Sequence, residues 1–104
     1  MINIDKLLIK THGSSVRVEI VFVVDTIEES RYWYSYLLSV TSWFEISVEN
    51  VYEIHLKGVF GRPIRAIEKV RKLFIYVARK QKNIQLVKEL RKCLSALKGA
   101  VSLL

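Results

Sequence analysis

The chain has 104 residues, 51% of them hydrophobic, and a net charge of +7. That excludes a disordered chain and leaves room for one domain with a real core, not two. No stretch approaches the roughly 20 apolar residues of a membrane span. MINIDKLLIK carries Asp5 and no cleavable apolar run, and the lone cysteine, Cys93, cannot close an internal disulfide. A reducing, cytoplasmic setting is therefore expected.

In chain order, Asn3 to Lys10 reads as a short strand and His12-Gly13-Ser14 as a turn. Val16, Val18, Ile20, Phe22 and Val24 then alternate strictly, but Val21 and Val23 are apolar on the other face, which predicts a central or doubly covered strand. Thr26 followed by Glu29 forms a capping box opening a helix that runs to about Thr41. Ile27, Tyr34, Leu37, Leu38 and Thr41 share the face expected to meet the core, while Tyr32, Tyr36 and Trp43 fall on another. Glu45 to Val48 and Tyr52 to Lys57 alternate around Glu49-Asn50, and this predicts a β-hairpin.

GVFGRP, Gly58 to Pro63, follows. It reads either as a Gly-x-x-Gly grip on phosphate at a helix N-terminus, flanked by Arg62 and Arg65, or as a plain strand-to-helix corner. From Pro63 to about Lys80 the period is helical, with Ile67, Val70, Phe74 and Val77 on the apolar face. Asn83 can cap a last helix carrying Val87, Leu90, Leu94, Leu97 and Val101. The order β-β-α-β-β-α-α predicts a two-layer α+β domain, about four antiparallel strands with helices on one face.

The charge is asymmetric. Arg62 to Lys98 holds 12 Lys+Arg against Glu68 and Glu89, a local net of +10, while the rest of the chain is at −3 with 5 Lys+Arg and 8 Asp+Glu. A polyanionic partner for this third of the chain is expected, nucleic acid first, and RNA before DNA. At about 100° per residue, Arg65, Lys69, Lys72, Tyr76 and Arg79 form one stripe opposite the apolar face. Together with Arg62, Lys80 and Lys82 these cations can follow a phosphate backbone, and Tyr76 offers a stacking ring. The competing reading is a solvated helix surface.

Tyr32, Tyr36 and Trp43, together with Leu94, Leu97 and Val101 of the apolar C-terminus, are candidate partner contacts, for self-association or for a larger assembly. The bland alternative for the aromatics is burial under a later helix or loop. His12 and His55 are isolated, so no metal site is expected. Glu45, Glu49 and Glu53 line a polar strand face, and no serine has a nearby base. Neither catalysis nor a cofactor is expected.

SSVRVEIVFVVDTIEESRYWYSYL, the hairpin FEISVENVYEIHLKG and the Arg65-Ala66 pair of PIRAIEKVRKLF resemble the CTAG/Pcc family, small dimerising subunits of the KEOPS complex that helps make threonylcarbamoyladenosine in tRNA. The resemblance spans Val16 to Val77. The family's usual Asn-Ser pair would fall near Lys69-Val70, and this chain adds an N-terminal strand, a separate last helix and a more basic helix. The resemblance implies a non-catalytic accessory subunit, dimeric and close to tRNA. The other expectation is a protein–protein interaction module that regulates a larger assembly.

Overall fold

The structure is a computed structural model that describes residues 1–81 together with 88, 89, 91, 92, 95 and 96. It contains β1 (Asn3–His12), β2 (Ser15–Val23), α1 (Ile27–Val40), β3 (Glu45–Glu49), β4 (Glu53–Phe60) and α2 (Pro63–Gln81). The four strands form one antiparallel sheet in the order β1-β2-β4-β3. This is the α+β arrangement expected from the sequence. The last helix, with Cys93, Leu94, Leu97 and Val101, lies outside the described residues apart from six helical, exposed positions such as Lys88 and Arg91.

β2 is central, which explains its valines. Val16, Val18, Ile20 and Phe22 face the helices, and Val21 is buried on the far face, between Lys6 and His55 of the neighbouring strands. β1 runs two residues beyond Lys10, because Gly13 takes the left-handed conformation, φ +62°, that lets the chain reverse in two residues. The Ser15 hydroxyl donates to the His12 carbonyl at 2.9 Å and closes that turn.

The β3–β4 turn is as expected at Asn50, φ +52°, but Val51 is left-handed too, φ +67°. Tyr52 therefore belongs to the turn, and β4 begins at Glu53. There the Asn50 amide donates to Glu53 at 2.9 Å, and His55 lies 3.2 Å from Glu53 and 3.4 Å from Glu49. His55 is on the polar face, as expected, yet its side chain is only 13% exposed.

Both helices cover the same sheet face, α1 over β3 and β4, α2 over β2 and β4. Thr26 caps α1, accepting the Glu29 amide at 3.1 Å. The buried face of α1 matches the expected one only in part, with Leu37 and Thr41 buried as expected. Ser30, Trp33 and Leu37 enter the core, whereas Ile27 and Leu38 stay 43% and 51% exposed. The reason is competition. α1 is apolar or aromatic around most of its circumference, and burying Trp33 removes more surface from water than burying Ile27.

α2 buries Ile67, Val70, Phe74 and Val77 as its spacing predicts, with Ala66 and Leu73 beside them. Phe74 meets Phe22 edge-on at 6.3 Å between ring centroids.

GVFGRP turns the chain from β4 into α2. Gly58 is inside β4, opposite Val18, so the connection to α2 is only Gly61-Arg62. A Cβ on Gly58 would come within 2.9 Å of both the Phe44 and Phe60 rings, which meet edge-on above it at 5.7 Å. Glycine stands here because two aromatic rings take the space a side chain would need.

Candidate nucleic-acid interface

The basic stripe sits where the sequence places it. Arg65, Lys72 and Arg79 are exposed, Lys69 and Tyr76 half-buried, all on the side of α2 away from its core residues. Arg62 is exposed at the start of the helix, and its carbonyl accepts the Ala66 amide at 3.2 Å. No acidic residue occupies the first turn of α2. Lys82 lies outside the described residues.

The fold joins two groups that are separate in the sequence. Trp43, in the loop after α1, lies against α2, with the Lys69 ammonium 3.8 Å and the Lys72 ammonium 5.4 Å from its ring centroid. Farther along, Lys80 lies 5.3 Å from the Tyr36 ring and 5.7 Å from Tyr32. The Tyr36 hydroxyl donates to the Tyr76 carbonyl at 3.3 Å, pinning α1 to α2. Trp33 links the tyrosines by edge-on contacts at 5.6 and 5.7 Å.

The aromatics and the cations are thus one surface with two stations: Trp43 under Lys69 and Lys72, and Tyr32 and Tyr36 beside Lys80. Tyr36 and Trp43 pack against the core, as burial under a later helix implies, while Tyr32 is 49% exposed. Leu94, Leu97 and Val101, grouped with these rings as candidate partner contacts, lie outside the described residues. One sequence signal for the pairing existed. Tyr32 to Trp43 and Lys69 to Lys80 both span 11 positions, and the two stretches meet antiparallel.

The electrostatics suit an anion. Partial burial pushes the Lys69 ammonium below its ordinary value, the neighbouring Lys72 and Arg65 push it further, and Glu68 opposes them. A cation crowded by cations gains from a phosphate beside it. Over the roughly 16 Å of helix from Lys69 to Lys80, the surface offers fixed rings and positive charge with no carboxylate facing Lys72 or Lys80 in an ion pair among the described residues. Tyr32 leaves its ring exposed, whereas the Lys69 ammonium covers the half-buried Trp43 ring.

No family model, no curated protein and no solved structure matches this chain. Among the described residues no helix is long and apolar enough to cross a membrane.

Proposed function

We propose that this chain is a non-catalytic nucleic-acid-binding protein, with RNA favoured over DNA, that works in the cytoplasm as a homodimer. The observation that carries the reading is the stacking of Lys69, Lys72 and Lys80 over Trp43, Tyr36 and Tyr32. Tyr36 and Trp43 also pack against the core, while Tyr32 leaves ring area open beside Lys80. A chain that follows a phosphate backbone and stacks bases uses both cation and ring. Arg62, Arg65, Lys69, Lys72, Arg79, Lys80 and Lys82 contact phosphate in this reading, and Tyr76 shares the stacking. Its sharpest form is an accessory subunit of a KEOPS-like tRNA-modifying complex, which the likeness of Val16 to Val77 to the CTAG/Pcc family supports.

The test is fluorescence anisotropy with labelled tRNA, duplex DNA and single-stranded DNA of similar length across a salt series. Micromolar or tighter binding that weakens steeply with salt is expected, tightest for tRNA. No binding to any of the three at low salt would end the reading.

A second reading, a protein–protein interaction module or regulator of a larger assembly, draws on another flank. Ile27 and Leu38 of α1 and Val48 of β3 are exposed apolar side chains. Salt-insensitive capture of a protein partner, lost in Leu38→Asp, is the result that would favour it.

A further inference from the structure

The sheet has a notch beside the basic surface. β3 begins at Glu45, opposite Lys57, but β4 continues through Gly58, Val59 and Phe60 with β2 as its only strand partner among the described residues. The chain entering β3 fills part of the missing place. Phe44 tucks over Gly58, and Trp43 stands at the rim. What is left is an open cleft of about 490 Å³, walled by Trp43, Arg17, Glu19, Glu45, Lys57 and Val59. That volume lies within the roughly 300–1,000 Å³ of small-ligand sites.

Its polar groups are uncommitted. Glu45 and Lys57 are cross-strand partners, yet neither forms an ion pair with a described residue, and nor does Arg17. Only Glu19 is engaged, by Lys6 at 3.7 Å.

We propose that this cleft receives one unpaired nucleobase of a bound strand, with guanine preferred. The inference rests on the nucleic-acid reading above and adds a base-reading subsite to it. Trp43 belongs to both places: Lys69 and Lys72 lie over its ring, and the same residue walls the cleft. Arg17, Glu19, Glu45, Lys57 and Val59 alternate with the core residues, so the cleft opens toward the sheet face away from the helices, and a strand whose phosphates follow α2 reaches it by passing over Trp43.

The carboxylate sets the preference. An ionised Glu45 only accepts hydrogen bonds, so the base must present N–H donors. Guanine presents two side by side on its Watson–Crick edge, a match for the two oxygens of one carboxylate, whereas thymine presents one. Arg17 and Lys57 supply positive charge to the same cleft. A base held in a duplex cannot offer that edge, so the partner is single-stranded at this point.

The experiment compares fluorescein-labelled eleven-residue oligothymidylates with and without one central guanine, by anisotropy, on wild type and on Glu45→Ala. Glu45 is exposed, so its removal leaves the fold intact. The wild type should bind the guanine oligomer about tenfold tighter. Glu45→Ala should erase that preference, so that the two oligomers bind alike. Free guanosine monophosphate should compete weakly, since it lacks the α2 contacts. If it competes as well as the oligomer, the assignment to a strand is wrong. Equal affinity of the wild type for both oligomers, with salt-dependent binding retained, would overturn the cleft inference and spare the α2 surface. No binding of either oligomer at low salt would overturn both.

Discussion

The two helices lie side by side on the same sheet, yet only one declared its buried face in advance. α2 carries Arg65, Lys69, Lys72 and Arg79 on one side, so Ile67, Val70, Phe74 and Val77 are left as the other. α1 reads IEESRYWYSYLLSV, with aromatic or aliphatic groups around most of its circumference. Several faces satisfy its period, and the choice is made by what the sheet and α2 offer. Charge, more than hydrophobicity, makes a helix legible: a cation is excluded from the core, whereas an extra tyrosine or leucine is merely not required there.

The largest difference between the faces is expected on α1 itself. Trp33→Ala should cost about 3–5 kcal/mol in chemical denaturation, because a buried indole leaves a cavity. Leu38→Ala, which the sequence alone would place in the core, should change stability by no more than about 0.5 kcal/mol. A drop of about 2 kcal/mol or more at Leu38, the level of a buried leucine, would mean α1 docks by the other face.

A smaller effect is expected where β4 passes under the rings. Gly58→Ala should destabilise by about 1–3 kcal/mol, since the new methyl meets Phe44 and Phe60 and one ring must move. A neutral result would show that Gly58 is free of those rings.

The smallest effect lies in the hairpin, away from both helices. The Asn50 amide first, and His55 second, hold the Glu53 carboxyl below its ordinary value of 4.5. A carboxylate with a lowered folded value stabilises the protein above its unfolded value, and that contribution disappears as pH falls through the folded value. Wild type should therefore lose a little stability as pH drops below 4.5, and Asn50→Ala should lose less over the same range. Identical acid limbs for the two proteins would remove the Asn50–Glu53 hydrogen bond from the account.

How much could be read beforehand follows from the same physics. β2 was legible because its four alternating apolar residues fix which face is buried, and its extra valines marked it as central. The cap at Thr26 was legible because it needs only residues three apart. The hairpin was legible at Asn50, but Val51 in a left-handed conformation was not, since β-branched residues avoid that region and only the sheet register demands it.

GVFGRP could not be settled in advance, because the role of Gly58 depends on Phe44, a residue distant in sequence that folds over it. The interface was half legible. The cations of α2 announced themselves, while their pairing with Trp43, Tyr36 and Tyr32 depends on how two helices meet. The cleft was not legible at all, for it arises from a mismatch in length between β3 and β4.

The central claim is that Lys69 and Lys72, over Trp43, are part of a phosphate track. The most direct measurement is the dependence of affinity on salt for wild type and for Lys69→Glu/Lys72→Glu, with circular dichroism to confirm the fold. Binding should weaken and the log–log slope should flatten by about 0.7–0.9 for each phosphate no longer neutralised, with the helical signal unchanged. Unchanged affinity and slope in a folded double variant would contradict it and leave the basic face of α2 as solvated surface.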